Sequence, residues 1–350
     1  MAVERTLTQR ELNRALLARQ LLLERADLPL PRALERIGGI QAQYAPSMYI
    51  GLWSRLEGFE RDKLTRALER RSVVQGTLMR TTIHLVSAQD YWPFALAIRQ
   101  ARRAHWLKNH RDVDDAAMAA AAKRLRRAIA GRSLRAAEIE ELLGWQHGIS
   151  VGLWHELVRV PPSGTWERRR ADLLAAAEDW IGPLDGTPAE ALDLLVRRYL
   201  AGFGPATRKD IAGWAGLPVG EIAPALDRLR LRRFRSESGE LLLDLPRAPL
   251  PDPETPAPVR FLPVWDATLL VHTRRTGILP ERHRPRIFNT KTPHSVNTFL
   301  VDGAVAGTWK HERGGIQIEP FERLDRAVQK QAHEEAERLR SMFTDPQTGN

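Results

Sequence analysis

Hydrophobic and polar positions fall into three similar blocks along this chain, each with helical spacing first and strand-like spacing afterwards. In the first block, leucines recur at helical spacing over residues 8–24, and further helices are predicted at about 31–38 and 61–70. Two runs rich in β-branched residues, 73–80 and 82–87, then predict a pair of short strands. Three helices followed by a strand pair form the outline of a winged helix, a helix-turn-helix with an added β-hairpin.

The same outline recurs twice. In each later block, two β-rich runs follow the helices and flank turn residues, which are 161–164 in one block and Ser238-Gly239 in the other. The predicted helices cover residues 114–130, 135–143, 150–157, 188–202, 207–216 and 218–229, and the strand pairs lie within 157–170 and 231–245. The copies are too divergent, and their period too irregular, for a solenoid.

The pattern changes after a proline-rich linker at residues 245–259. Residues 260–271 are predicted to form a buried strand, and 297–310 a hairpin with Asp302-Gly303 at its turn. A further strand within 314–324 and an amphipathic helix over 322–343 complete this segment. The sequence therefore predicts an α+β fold, mainly α, with three tandem winged-helix domains at 1–112, 113–186 and 187–250 and a C-terminal β-rich segment at 251–350.

Composition excludes several classes of protein. The 350-residue chain has no cysteine, which rules out disulfides and thiolate metal sites. Its N-terminus is charged and lacks an apolar stretch with a cleavage site, and no run approaches the roughly 18 apolar residues of a membrane helix. Motifs of nucleotide hydrolases and zinc hydrolases are also missing from the sequence. We expect a cytoplasmic protein with no metal and no cofactor.

The charge favours a polyanionic partner. Lys and Arg number 53 against 43 acidic residues, and most of the cations are arginine, whose planar guanidinium matches phosphate oxygens two at a time. Codon bias in a GC-rich genome would also raise the arginine content, so the distribution is more informative than the total. The stretches 99–111 and 123–135 contain no acid, and 272–313 is strongly basic. Three separate basic stretches fit one long polyanion better than one small ligand.

Two glutamines, Gln41 and Gln43, stand in a short segment between Gly38-Gly39 and Pro46. The glycines are expected to end the preceding helix, and Pro46 to discourage a new helix immediately after it. On an extended segment, positions i and i+2 point the same way, so both amides are predicted to project together from a short irregular segment. The alternative is a pair of surface glutamines, one of which caps a helix end.

Three other residues have two possible roles each. His84 lies on a predicted strand and is either a buried, hydrogen-bonded histidine or a site residue. Asp266 is an acid inside an apolar run and is either a structural hydrogen-bond anchor or support for a site. Trp309 lies near the predicted hairpin and belongs either to the core or to a nucleic-acid contact.

Several blocks of sequence, taken in order, resemble the AlkZ/YcaQ family of bacterial DNA glycosylases over residues 8–320. These blocks are IQAQYAPSMYIGLWSRL, GTLMRTTIHLV, VPPSGTWERRRADLLAAAEDWIG, VWDATLLVHTRRTGILP and NTFLVDGAVAGTWK. The resemblance implies three winged helices in a C-shaped arrangement, with a concave basic DNA-binding surface and the glutamine pair at its centre. Gln41 and Gln43 match the family's catalytic pair. Gln43 places the chain nearer AlkZ, since YcaQ-like members tend to carry an acid there, and Ala42 is smaller than the usual residue between the pair.

The resemblance also implies a reaction. Family members remove bulky alkylated purines, including N7-alkylguanine adducts of antibiotics such as azinomycin B, and some unhook interstrand crosslinks. Alkylation at N7 makes guanine cationic and a good leaving group, so an amide that orients water and stabilises a charged sugar is sufficient. No lysine occurs from residue 1 to 62, so neither an amine nucleophile nor strand cleavage is expected.

Two alternatives share some of these features. A non-catalytic winged-helix transcriptional regulator would use the same modules and charge, and an RNA-binding or architectural protein would share the charge alone. As a glycosylase, the chain is expected to act as a monomer on double-stranded DNA. The residues expected to contact DNA are His84, Arg102, Arg103, Lys108, Arg274, Arg275, Arg282, Arg284, Arg286, Lys291 and Trp309.

Overall fold

The computed structural model describes residues 2–145, 147–270, 277–288 and 295–344. The predicted helices and strand pair of the first segment are present, although the first helix ends at Arg19 and the first strand at Thr77. Gly38 ends the second helix in a left-handed conformation at φ 79°. The elements of this segment are β1 (Thr6–Leu7), α1 (Gln9–Arg19), α2 (Leu30–Ile37), β2 (Ile40–Gln41), α3 (Ala45–Trp53), α4 (Arg61–Glu69), β3 (Val73–Thr77), β4 (Ile83–Ser87) and α5 (Ala88–Asn109).

Two helices of this segment were not predicted. Pro46 does not delay helix formation: it occupies the first turn of α3, where no backbone N–H is needed for an intrahelical bond. The 22-residue helix α5 starts after Ser87, whose hydroxyl accepts a hydrogen bond from Asp90 N at 3.1 Å. No helix in the described part of the chain is long and apolar enough to cross a membrane.

The second segment differs from its prediction after the second helix. In place of the expected helix at 150–157 there is a 3₁₀ turn at Gly148–Leu153, and a strand begins at Leu157. The strand pair is separated by a loop because Ser163 Oγ donates to Arg170 O and accepts from Asp172 N, both at 2.8 Å, which places the second strand after residue 170. The elements are α6 (Asp115–Ile129), β5 (Ser133–Arg135), α7 (Ala136–Leu143), β6 (Leu157–Arg159), β7 (Leu173–Ala176) and α8 (Ala177–Ile181).

The third segment follows its prediction closely because its helix ends are marked by strong local signals. Thr187 and Thr207 each form a capping box with the acid three residues later, and Gly216 ends a helix at φ 75°. The elements are α9 (Pro188–Phe203), α10 (Arg208–Ala215), α11 (Val219–Arg228), β8 (Arg232–Ser236) and β9 (Leu241–Asp244).

The C-terminal segment contains the predicted hairpin but not the long predicted strand. Only residues 260–262 of the expected strand are extended, while 267–270 are helical and 271 lies outside the described residues. Asp302 and Gly303 both have positive φ, as a tight hairpin turn requires. The elements are β10 (Arg260–Leu262), α12 (Ala267–Leu270), α13 (Arg284–Ile287), β11 (Thr298–Val301), β12 (Ala304–Glu312), β13 (Gly315–Pro320) and α14 (Arg326–Arg340).

The strand pairs of the first two segments join in one six-stranded sheet, ordered β2-β4-β3-β6-β7-β5. The junction is antiparallel pairing of β3 with β6, in which Gln75 faces Arg159 and Gly76 faces Val158. Gly76 has no room for a side chain because a Cβ there would lie 2.3 Å from the Tyr91 ring. The other sheets are β1-β8-β9 and β10-β11-β12-β13. A hydrophobic core that includes Leu17, Phe94 and Leu200 packs α1, α5 and α9 together.

Buried arginines on α1 hold the proline-rich linker and the third segment in place. The fully buried Arg19 makes two hydrogen bonds to Asp244, at 2.7 and 2.9 Å, and also donates to Pro249 O. The equally buried Arg14 donates to Thr255 O at 2.7 Å and pairs with Asp302. The linker is therefore packed against α1 through its carbonyl groups.

Replacing Arg19 is expected to destabilise the fold strongly. Arg19→Met would leave Asp244 buried and uncompensated, so the free energy of unfolding should fall by about 3–5 kcal/mol in urea titrations. Adding Asp244→Asn should recover part of this loss. Arg340→Met, which removes an exposed ion pair with Glu337, is the control and should cost less than about 1 kcal/mol. Equal losses at the two arginines would contradict this account.

Candidate active site

The glutamine motif lies where the chain passes close against strand β4. Gly39, at φ 81°, is required there because a Cβ would lie 2.9 Å from Val86 Cγ1 and 3.0 Å from Leu85 O. The next two residues form β2, which pairs antiparallel with β4 and sets Gln41 directly opposite His84. The motif therefore begins as an edge strand rather than as an irregular segment.

Gln43 ends this short ladder with its own side chain. Ala42 N donates to Ile83 O at 2.7 Å, as in a regular ladder. In return, Ile83 N donates at 3.2 Å to the Gln43 side-chain Oε1. The amide of Gln43 is exposed, and its NH₂ group contacts no acceptor among the described residues. One oxygen of the side chain thus fixes its position while the two amide hydrogens stay free to bind a ligand.

Gln41 and His84 form a nearly buried polar pair. Gln41 is 7% exposed and its amide has no hydrogen-bond partner among the described residues, so it is not a surface glutamine. The hydrogen bond from Ala42 to Ile83 makes the adjacent Gln41–His84 pair a non-hydrogen-bonded one, in which the side chains approach closely. The Gln41 amide, without a partner in the described part of the chain, is therefore available to bind a ligand or water.

His84 is held as a neutral imidazole. Its Nδ1 lies 3.0 Å from Thr82 O, so Nδ1 carries the proton and Nε2 presents a lone pair. Burial, and secondarily the nearby charge of Arg80, lowers the pKa of His84 to about 3. The site therefore combines amide groups with a neutral acceptor, which suits it to orienting water rather than donating a proton.

The loop at 161–172 contributes residues beside the motif that the sequence did not identify. Tyr44 is 42% exposed, and its hydroxyl contacts Arg169 Nη1 at 3.1 Å. Trp166 of the same loop is buried against Tyr49 of α3, with ring centroids 5.7 Å apart. The exposed arginines 168–170 thus lie on a loop anchored next to the motif. The signal in the sequence is TWERRR after a turn, which predicts a strand where the structure has a loop.

Three residues expected to contact DNA are interior. His84 is 3% exposed, Arg102 is 4% exposed and Trp309 is 3% exposed. Arg102 makes two hydrogen bonds to Glu156, at 3.0 and 3.1 Å, and Trp309 Nε1 donates to Leu262 O at 3.0 Å. Each of these side chains is covered by protein, and the last two are paired with it, so contact with DNA stays a prediction for all three.

The remaining candidates for DNA contact differ in their exposure and in the protein groups they already contact. Lys108 is exposed and has no partner among the described residues, whereas Arg103 is half-buried and donates to Leu153 O at 2.8 Å. The exposed residues Arg282, Arg284 and Arg286 lie near Glu322, near Glu281 and over the Phe321 ring, respectively. Arg274, Arg275 and Lys291 lie outside the described residues.

Asp266 is a structural anchor. It is 5% exposed and accepts two hydrogen bonds of 3.0 Å from Arg55, together with bonds from the backbone N–H and hydroxyl of Thr268. Arg55 also donates to Gly51 O of α3. The pair therefore ties α12 to the helix that follows the glutamine motif, and its effect on the site is indirect.

The family of this chain follows from its similarity to known proteins. A sequence model of the DNA glycosylase AlkZ-like family matches residues 34–342. The chain belongs to this AlkZ-like family. The solved structure of Streptomyces sahachiroi DNA glycosylase AlkZ has the same fold, with a TM-score of 0.81, 19% sequence identity and coverage of 97% of each chain. A search of curated protein sequences finds no match.

Membership in the AlkZ-like family confirms the resemblance found in the sequence and makes DNA the substrate class. It favours a DNA glycosylase over the non-catalytic regulator. The matched region contains Gln41, Gln43 and His84, the whole ladder described above.

The buried neutral His84 is expected to make the protein acid-sensitive. Its pKa is about 3 when folded and near 6.5 when unfolded, so below pH 6.5 only the unfolded chain takes up this proton and stability falls. Between pH 7 and pH 5 the wild type should lose about 2 kcal/mol more than His84→Asn, which keeps a donor toward Thr82 but cannot titrate. Urea unfolding at both pH values measures the difference, and parallel losses would contradict a buried neutral His84.

Proposed function

We propose that this protein is a monofunctional DNA glycosylase that hydrolyses the N-glycosidic bond of alkylated purines, especially N7-alkylguanine. The observation that carries the proposal is the glutamine pair: Gln41 is nearly buried without a partner, and Gln43 is fixed by Ile83 N. Membership in a family of DNA glycosylases supports the same conclusion.

The proposed chemistry relies on the substrate for activation. A cationic N7-alkylguanine leaves without protonation, so the protein must place water against the sugar and stabilise its positive charge. The amide oxygen of Gln41 provides a negative dipole in a nearly buried position, where such a dipole acts strongly. The NH₂ of Gln43 and the free lone pair of His84 supply the donor and acceptor that hold the water.

We further propose that the three segments are winged-helix units in a C-shaped arrangement. In the second segment, the order is helix, strand, helix, 3₁₀ turn and two strands, and β5 pairs with β7. This order matches a winged helix whose first strand joins the wing. The first and second units share the six-stranded sheet, and β1 of the first unit joins the sheet of the third. The domain boundaries remain those proposed from the sequence.

The proposed DNA surface consists of exposed cations around the motif. The proposed surface includes the exposed residue Lys108 on α5 and the exposed arginines 168–170 on the loop. The stretch at 272–313 contributes Arg282, Arg284 and Arg286, together with the predicted contacts Arg274, Arg275 and Lys291. We propose that a single copy of the chain binds double-stranded DNA. Its proposed substrates include bulky and crosslinked adducts. Their removal would serve either DNA repair or self-resistance to an alkylating antibiotic.

Replacing either glutamine is expected to slow excision without preventing DNA binding. Gln41→Ala and Gln43→Ala should each reduce single-turnover release of N7-alkylguanine by roughly 10²-fold or more, the scale for loss of one preorganised polar group. The double variant should lose less than the product, because both groups act on one water. Heat and alkali should be needed to break the strand at the abasic product.

Two controls make this experiment specific. Gln43→Glu keeps the acceptor for Ile83 N and tests whether folding alone explains a loss. Gln100→Ala removes an exposed glutamine on α5 and should leave the rate unchanged. Full activity of the double variant, with normal DNA affinity, would refute the proposed role of the pair and leave the regulator as the better explanation.

DNA affinity is expected to fall steeply with salt. The logarithm of the binding constant should decrease with log salt at a slope of about −0.9 per phosphate contacted. Arg168→Met should reduce that slope by about one contact, since the side chain is exposed on the loop beside the motif. Arg326→Met, an exposed arginine on α14 outside the basic stretches, is the matched control. Fluorescence anisotropy over a salt series measures both, and a flat wild-type response would contradict phosphate binding.

A further inference from the structure

A cavity lies beside the β3–β4 turn. It has a volume of about 410 Å³ and opens between the C-terminal end of α5, the 3₁₀ turn at 148–153 and strand β6. The residues that line it include one arginine and two histidines but no acid: Thr77, Thr81, His105, Trp106, Asn109, His110, Ser150, Gly152, Leu153, Leu157, Arg159 and Leu174.

Arg159 in this cavity is a buried cation without a counterion. It is 8% exposed, its Nη1 donates to Thr77 Oγ1 at 3.1 Å, and its Nε has no hydrogen-bond partner. No carboxylate lies within 4.0 Å of it among the described residues. Tyr91 is near enough to interact electrostatically, but burial raises the pKa of its phenol and keeps it neutral.

Five arginines that are buried more deeply than Arg159 behave differently. Each has a carboxylate partner: Arg14 with Asp302, Arg19 with Asp244, Arg25 with Glu335, Arg55 with Asp266 and Arg102 with Glu156. This chain therefore compensates buried guanidinium groups by ion pairing, as the cost of burying an unpaired charge requires. Arg159 departs from that rule at the wall of a cavity, where a ligand can supply the missing anion.

The cavity wall offers the hydrogen-bond donors that an oxyanion needs. Thr77 and Ser150 carry hydroxyl groups that can donate to it, whereas the Thr81 hydroxyl donates to Arg80 O and the Asn109 amide to His105 O. His110 is stacked on Trp106 with 4.1 Å between ring centroids, and its Nδ1 contacts Trp106 O at 2.8 Å, so its ring is fixed in place. A guanidinium fork surrounded by hydroxyl donors matches the several oxygens of a phosphate.

We propose that this cavity binds a phosphate group, with Arg159 as its central cation. The cavity is larger than inorganic phosphate and leaves room for an attached sugar. Two sources share this chemistry: a backbone phosphate of DNA and a free phosphate compound. The DNA source rests on the proposed function. It fits the position of Thr77 at the end of β3 and of Thr81 on the turn that leads into β4, the strand paired with Gln41.

The first test uses inorganic phosphate and needs no damaged DNA. When phosphate replaces chloride at constant ionic strength, the melting temperature of the wild type and of the Arg326→Met control should rise, because phosphate binds the folded state. For Arg159→Met, the dissociation constant for phosphate should rise at least tenfold. Without phosphate, Arg159→Met should melt no earlier than the wild type, because it removes an uncompensated buried charge.

The second test identifies the source of the phosphate. If Arg159→Met also weakens binding to an undamaged duplex and lowers the salt slope by about 0.9, the occupant is a DNA phosphate. If only inorganic phosphate binding is lost, the occupant is a free phosphate compound. If Arg159→Met melts early, Arg159→Lys, which keeps the charge, must restore phosphate binding for the proposal to stand. Wild-type affinity of Arg159→Met for both probes would overturn it, whether or not the wild type excises bases.

Discussion

Pairing of buried arginines with carboxylates is the constraint on which this structure depends. The chain is rich in arginine, and several of these side chains lie inside the protein, where each needs an anion. Arg19–Asp244 joins the first helix to the third segment, Arg55–Asp266 joins α3 to the C-terminal segment, and Arg102–Glu156 joins α5 to the second segment. The pairs are long-range in sequence, so they fix how distant segments meet.

The same pairs explain why charge was a weaker guide than helix and strand patterns. Helices with caps and amphipathic spacing, such as α9 to α11, could be predicted because their signals are local. The basic stretch 99–111 contains no acid, yet Glu156 approaches two of its arginines from another segment. A net charge counted along the chain cannot show which cations the fold neutralises.

The candidate site was only partly accessible from sequence. The glutamine pair and the glycines before it could be located, since a glycine pair before two amides is a local pattern. The partner strand could not be predicted, because the close approach of Gly39 to Leu85 depends on tertiary packing. The roles of Asp266 and Trp309 also depended on contacts with Arg55 and Leu262, which lie far from them in sequence.

The strand β3 belongs to two units at once, since it pairs with β4 on one side and with β6 on the other. Gln41 on β2 and Arg159 on β6 are therefore three interstrand spacings apart, each about 4.8 Å. Interstrand hydrogen bonds keep each spacing nearly constant, so the distance between the two sites varies little. In evolution, the first two segments must therefore change together. Neither can be replaced by a homologous segment unless the replacement carries the strand, β3 or β6, that completes the shared sheet.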